Sequence, residues 1–557
     1  MSDHPADQET GQRAEPFPAP KEMLGQAANA YDLLPYESAP FPHTRPERLA
    51  TLATLLGLAP PNPSEARVLE LGCGFGGNLM PLAELYPRSQ FVGLDASSRQ
   101  IADGRAVANR LGLTNLQLIA MDLMQVGPDF GQFDYIIAHG LYSWVPPEVQ
   151  NKILQICSQH LSPNGMAYIS YNTNPGWRMR GIVRDMMQYH ARKFDNPLKR
   201  AAQARSMIAQ FAQTGSKLDE PYWRLLMREM AIVGSKEKQD YYIAHEYLED
   251  QNVPCYFHEF AARAAEQGLQ YVGEANPFSR PALAQVAREA LTAIEAVSAD
   301  MLEQEQYLDF VCNRAFRASV LCHADLKLNW DFDPQRLIDL HVSSPAKPEE
   351  SNPDVRSPTN VNFRSPRGMT TTTSEPVVKG LLLTLAKCWP ASMPFRELIA
   401  AAVSLASGKS RAIETGINDE LGAKAVMQIL QLYAIAQLDL SVCPTSCAVV
   451  PPQRPRTTAL ARLQAAESNV VTNLRHEWTR VSDLDRRIIP MLDGQHDKSQ
   501  MLVPLVKLAE SGALKINSQG KPIRPGPQLR PALQSAIDAS LGDLGRMALL
   551  LRDSGEQ

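Results

Sequence analysis

Across 557 residues, apolar side chains make up 44% and charged ones 21%, so the chain can hold several domains with ordinary cores and needs no disorder for its bulk. With 55 basic against 60 acidic residues the formal charge is −5, which disfavours a protein that grips bare nucleic acid over a large surface. The eight cysteines are scattered; only Cys443 and Cys447 lie close together, with no second pair or nearby His cluster, so free thiols in a reducing compartment are expected rather than a metal centre.

No apolar run reaches the ~20 residues of a membrane-spanning helix. Residues 1–20 are polar and acidic, lack the apolar core of a signal peptide, and read as the flexible tail of a cytoplasmic protein with no membrane insertion. From Ala66 onward short apolar runs alternate with amphipathic stretches. Val68–Leu71 reads as a strand entering a glycine turn, Asn78–Leu85 as a helix, Gln90–Asp95 as a strand ending in an acid, and Ser98–Leu111 as a second helix. Strands over Leu116–Ala120, Phe133–Ala138 and Met166–Tyr171 follow, with a helix over Pro147–His160 stopped by Ser162-Pro163-Asn164-Gly165. This alternation predicts a parallel, doubly wound, Rossmann-like α/β core.

Residues 178–238, rich in Met, Arg, Ala and Gln, carry no strand signal and are expected as a helical insertion. An amphipathic helix over Tyr256–Gly268 follows. Strands over Leu269–Gly273 and Phe316–His323, on either side of a helical stretch around Ser279–Phe310, are expected to finish the same sheet, so that 239–330 completes a core spanning 21–330. The stretch 331–376 is rich in Ser, Pro, Thr and Asn and reads as a linker with a hairpin around Ser365-Pro366-Arg367-Gly368. Helices over Val377–Cys388, Pro394–Ser404 and Leu421–Ala436, then a strand over Leu438–Val442, predict a winged-helix-like unit at 377–450, followed by a helical C-terminal region at 451–557. Val377–Val442 has no dense Lys/Arg stripe, which favours protein contact or self-packing over nucleic acid.

The chemistry concentrates in Glu70-Leu71-Gly72-Cys73-Gly74-Phe75-Gly76-Gly77-Asn78. A glycine turn between strand and helix lets backbone approach a ligand closely, and the helix start behind it offers unpaired N–H groups. Asp95, at the end of the next strand, can accept both ribose hydroxyls of a nucleoside. The set predicts a nucleoside cofactor, but Gly72-x-Gly74-x-x-Gly77 also fits the NAD-binding pattern and does not discriminate.

The segment resembles the first motif of class I S-adenosylmethionine-dependent methyltransferases, where an acid precedes the glycines. Met121-Asp122-Leu123 stands where that family faces the adenine amino group, Phe133-Asp134-Tyr135-Ile136-Ile137 resembles its fourth strand, and Leu161–Met166 its turn into strand five. The resemblance implies S-adenosyl-L-methionine as cofactor, bound by Glu70, Gly72, Cys73, Gly74, Asn78, Asp95, Asp122 and Leu123. Glu70 would organise the loop and the cofactor amino group, and Asp122 would meet the adenine edge.

Acceptor contacts are expected from the loops after strands four and five, His139–Trp144 and Tyr171–Trp177, because open α/β sheets bind ligands at the C-terminal ends of their strands. His139, Tyr142, Tyr171 and Asn172 are the candidate catalytic residues, with Tyr36 from Tyr31–Phe41, a segment able to fold over the cofactor as a lid. Trp144 and Trp177 are as readily packing residues. Strand four lacks the Asn/Asp-Pro-Pro-aromatic ending of enzymes that methylate bases or glutamine amides.

Further stretches are similar to the methyltransferase regulatory domain family: His245-Glu246-Tyr247-Leu248-Glu249, Tyr256-Phe257-His258-Glu259-Phe260, Phe316–His323 and Asn473-Leu474-Arg475-His476-Glu477. That family includes bacterial lysine methyltransferases acting on outer-membrane proteins, which implies a lysine-bearing protein substrate. Glu37, Glu246 and Glu259 are candidates to attract the lysine cation, although each reads as readily as a salt-bridged structural acid. A methyltransferase of small metabolites or nucleic acid, and a non-enzymatic protein keeping a vestigial cofactor fold, are the competing readings. Oligomeric state is not legible.

Overall fold

The computed structural model describes residues 38–215, 220–233, 240–275, 288–331, 333–366, 368–409, 420–515, 517–518, 521–522 and 526–552. The expected tail over 1–20 and Tyr36 and Glu37 of the expected lid lie outside the described residues. Seven strands build the central sheet: β1 (Arg67–Leu71), β2 (Gln90–Asp95), β3 (Leu116–Ala120), β4 (Phe133–Ala138), β5 (Leu161–Asn172), β6 (Leu269–Glu274) and β7 (Phe316–His323). Their order is β3-β2-β1-β4-β5-β7-β6. β1 to β5 run parallel, while β7 is antiparallel to both β5 and β6.

These strands are apolar on both faces, as expected for a sheet covered by helices on each side. Leu69, Leu71, Val92, Leu94, Ile136, Ala138, Ala167 and Ile169 pack into one core. Their neighbours Val68, Phe91, Tyr135, Ile137, Met166 and Tyr168 pack into the other, the period-two alternation of a pleated strand. Strand five starts at Leu161 rather than Met166, with an irregularity between the Phe133↔Leu161 and Tyr135↔Met166 pairs.

The covering helices include α1 (Pro46–Leu55), α2 (Leu79–Leu85), α3 (Ser98–Leu111) and α4 (Pro147–His160). α3 is bounded as the sequence suggests: the Ser97 hydroxyl accepts from the Gln100 N–H, and Gly112 ends the helix at φ 68°. Between β5 and β6 the chain leaves the sheet through α5 (Gly176–Ala191), α6 (Pro197–Gly215), α7 (Pro221–Val233) and α8 (Asp240–Tyr247). Val183, Met187, Ala204, Ile208, Met230 and Ile243 give these helices a core of their own. α9 (Phe257–Glu266), α10 (Arg288–Val297) and α11 (Met301–Cys312) bring the chain back to the sheet.

The stretch expected as a linker is instead packed. β8 (His341–Ser343), β9 (Lys347–Pro348), β10 (Val361–Arg364) and β11 (Thr370–Thr373) lie within it. β10 and β11 form the expected hairpin. Leu337, Leu340, Val342 and Phe363 join one core with α12 (Pro376–Cys388), α13 (Phe395–Ser407) and α14 (Glu420–Ala434). β8 lies between β12 (Met393–Pro394) and β13 (Asp439–Ser441). Strands of two to four residues spaced among Ser, Pro and Thr leave no periodic pattern to read.

A last core unites α15 (Ala459–Glu467), α16 (Asp483–Ile488), α17 (Lys498–Glu510) and α18 (Leu529–Arg546), with β14 (Val470–Thr472) and β15 (Trp478–Arg480) as an antiparallel hairpin. Among the described residues no helix is long and apolar enough to cross a membrane.

Candidate active site

The strand order reverses between β1 and β4, and a crevice opens beyond their C-terminal ends, as such a switch point requires. It forms a cavity of about 530 Å³, within the usual size for a cofactor or small-ligand site.

The glycine loop follows β1. Gly72 and Gly74 hold φ of 73° and 56°, a left-handed region that a side chain would strain. The Gly72 and Cys73 N–H groups donate to Leu94 O at 2.8 and 3.0 Å, tying the loop to β2. Asp95 closes the turn: its Oδ2 accepts from Gly74 N and its Oδ1 from Ser97 N, each at 2.8 Å. Ser38 lies over the loop, its hydroxyl accepting from Gly77 N at 3.0 Å.

Glu70 is buried on the cavity wall. Its Oε1 accepts from Asn78 Nδ2 at 2.8 Å, while Oε2 is buried with no hydrogen-bond partner among the described residues. Burial pushes its carboxyl up to about 8, with Asp95 adding to the rise and the Asn78 bond opposing it. A buried acid on the wall of a cavity, one of its oxygens without a hydrogen-bond partner among the described residues, suits a cationic ligand group. Asp122 caps the short turn Leu123–Gln125, its Oδ1 accepting from Met124 N at 2.9 Å, and lines the cavity with Leu123.

All eight expected cofactor residues line this cavity, as do His139 and Asn172. The His139 Nδ1 lies 2.9 Å from the Tyr168 hydroxyl and 3.2 Å from Ser170 Oγ, and Phe41 packs on its ring at 3.9 Å between centroids. Burial, reinforced by His43, holds His139 well below the usual imidazole range, so it is neutral at physiological pH. Asn172 donates from Nδ2 to Asn252 Oδ1 at 3.1 Å.

Tyr142 and Tyr171, expected at the acceptor, stand in the core instead. Tyr171 stacks on Phe260 at 4.1 Å, Tyr142 meets the same ring edge-on at 5.4 Å, and both are at most 1% exposed. The Tyr171 hydroxyl pairs with Ser319 Oγ. Their strand and turn positions point to the α9 side of the sheet. Glu259 caps α9, accepting from Tyr256 N at 2.9 Å. Glu246 does reach the cavity.

Sequence reasoning missed Arg180 and Tyr242 from the insertion helices, and Phe316 at the start of β7, which complete the wall away from the glycine loop. The expected helical insertion over 178–238 includes α5, whereas α8 lies beyond it, and nothing in the sequence shows that either folds back over the crevice.

A doubly wound sheet of this order, with a glycine loop, an acid after β2 and an orphaned buried carboxylate at its switch point, defines a class I S-adenosylmethionine-dependent methyltransferase. The comparisons agree along the chain. A family model described as "Methyltransferase domain" matches residues 68–165, "Predicted methyltransferase regulatory domain" matches 239–323, and "PKMT, C-terminal winged helix domain" matches 453–549. The winged-helix match thus falls on the last core, C-terminal to the 377–450 unit that the sequence pattern singled out.

The chain is 34% identical over 531 residues to the uncharacterized protein RP789 of Rickettsia prowazekii (strain Madrid E), covering 94% of each. PKMT2 from Rickettsia typhi, solved in complex with AdoHcy, matches with a TM-score of 0.83 and 28% identity, over 93% of this chain and 100% of that one. Trans-aconitate 2-methyltransferase of Deinococcus radiodurans is 29% identical over 127 residues, 23% of this chain and 45% of that enzyme. The chain belongs to the family of S-adenosylmethionine-dependent methyltransferases that carry a methyltransferase regulatory domain and a PKMT winged-helix domain.

Proposed function

We propose that the chain methylates a protein acceptor on a lysine side-chain amine. The observation that carries this reading is the extent of the likeness to PKMT2, a protein lysine methyltransferase by its name: it spans 93% of the chain, where the likeness to trans-aconitate 2-methyltransferase spans 23%.

When bound, S-adenosylmethionine supplies a methyl group on an electrophilic sulfonium. The chain's part is to hold cofactor and amine in line and keep water away. Gly72 and Gly74 would bring backbone against its methionine end, Glu70 would meet its ammonium, Asp95 would accept the ribose hydroxyls and Asp122 would meet the adenine edge. A free lysine amine, with a pKa of about 10.4, arrives protonated. Glu246 draws that cation to the acceptor half of the cavity. The rings of Trp144, Tyr242 and Phe316 strip its hydration, which favours the neutral nucleophile. The neutral His139 places no repelling charge beside the sulfonium or the amine.

A small carboxylate acceptor is the second reading, because Arg180 also lines the cavity. Its guanidinium, however, already lies 3.6 Å from Glu229. Incubation with methyl-labelled cofactor and native extract, followed by mass spectrometry, decides between them. The proposal expects methylated lysine in protein. Label confined to small molecules would sink it, and failure to bind the cofactor at all would support a vestigial fold.

A further inference from the structure

The β14–β15 hairpin lies within the segment matched as winged-helix domain, and its turn, residues 473–477, reaches into the methyltransferase core. His476 at this turn is fully buried, with φ at 62°, a region that non-glycine residues enter only when the surroundings hold them there. Its Nε2 lies 2.8 Å from Asn78 Oδ1.

That contact completes a determined set of bonds. Asn78 Oδ1 also accepts from Phe41 N at 2.9 Å, and a backbone N–H can only donate, so this oxygen is the amide carbonyl. His476 Nε2–H is therefore the donor, and burial keeps the ring neutral. Asn78 Nδ2 gives its protons to Thr44 Oγ1 at 3.0 Å and Glu70 Oε1 at 2.8 Å. With Oε1 so held, the Glu70 carboxyl is fixed at the cavity wall, its Oε2 buried and without a hydrogen-bond partner among the described residues.

The far side of the turn is equally fixed. Arg475 reaches Asp439 Oδ2 at 2.9 Å and Ser343 Oγ at 3.3 Å, lies over the Trp389 ring at 4.4 Å, and gives its carbonyl to Arg45. Leu474 N bonds Ala548 O at 2.8 Å. The turn is thus clamped among three cores, and His476 has no freedom to follow Asn78 if the amide rotates.

We propose that the C-terminal winged-helix domain is a working part of the cofactor site, with His476 the positioning residue that, through Asn78, aims Glu70 at the cofactor's ammonium group. The proposal rests on the reading of Glu70 as a cofactor ligand, and the test separates the two. Binding of S-adenosylhomocysteine to the full chain is measured by calorimetry for wild type, Glu70→Gln, His476→Leu and His476→Gln, whose amide nitrogen can stand in for Nε2.

His476→Leu should weaken binding about tenfold and reduce the protons released on binding, and His476→Gln should restore both. Wild-type affinity in His476→Leu, or equal weakness in both His476 variants, overturns the positioning role. Unchanged affinity in Glu70→Gln overturns it together with the reading of Glu70. Should His476→Leu fail to fold, hydrogen exchange on the wild-type chain carries the test. S-adenosylhomocysteine must then slow exchange at the 473–477 turn, since coupling is reciprocal, and an unchanged turn overturns the proposal.

Discussion

Asp95 accepts from the Gly74 and Ser97 N–H groups, so it builds the glycine turn from the end of β2, and in the proposed mechanism it also meets the ribose. Asp95→Ala is therefore expected to weaken cofactor binding by about 1–3 kcal/mol, the scale of a lost charged hydrogen bond; calorimetry checks it, and unchanged affinity would remove Asp95 from the site. Glu70 makes a pH prediction. Its carboxyl binds a proton more tightly folded than unfolded, so the cofactor-free protein should lose stability as pH climbs from 4.5 through about 8. Glu70→Gln should flatten that slope in denaturant titrations. A cationic ligand group beside Oε2 restores the ionised carboxyl, so binding near pH 7 should release close to one proton per site, about none in Glu70→Gln. Heats measured in buffers of different ionisation enthalpy give the count. Tyr171→Phe should leave methyl transfer near wild type and cost about 1 kcal/mol of stability from the Ser319 bond; a large loss of turnover would return Tyr171 to the acceptor.

At the scale of elements, the path Ser38–Phe41 is clamped onto the loop before α2. A Cβ on Gly77 would stand 2.3 Å from Ser38 O, too close for either backbone to stay in place. Gly77→Ala should displace this path and lower cofactor affinity roughly tenfold with the sheet intact, read by calorimetry beside circular dichroism. The contact also shows what could be read beforehand. Glu70, the glycines, Asp95 and Asp122 follow β1, β2 and β3 in order, and strands buried on both faces announce themselves as apolar runs, so the gathering of these residues around one cavity was legible. Tyr142 and Tyr171 were misplaced because a strand's end does not reveal which way its last side chains point. Arg180 and Tyr242 were invisible because their approach depends on how α5 and α8 fold back. The segment 331–376 hid Leu337, Val342 and Phe363 among polar residues, in a single helical turn and in strands too short to show a period.

Across the whole molecule, the turn at Arg475 joins the sheet domain, the α12–α14 unit and the C-terminal domain. Arg475→Ala removes its pairing with Asp439 and its seat on Trp389. It should cost about 1–3 kcal/mol and split a single thermal transition into separate ones in scanning calorimetry; one undivided transition at an unchanged midpoint would show that the domains hold together without it.

The place of β7 bears on how the chain comes to be made. It is the last strand of the sheet in sequence, yet it lies between β5 and β6, and its Arg317 is fully enclosed by Glu274, Glu305 and Asp309. A nascent chain leaving the ribosome therefore carries two unmated strand margins, on β5 and β6, until residue 323 has emerged, and the carboxylates of Glu274, Glu305 and Asp309 wait for the guanidinium groups of Arg314 and Arg317. Throughout that interval the helices after β5 can settle on their own core, but the sheet stays open to pairing with other chains. Translation through this stretch, rather than the stability of the finished fold, is then where losses to aggregation should concentrate.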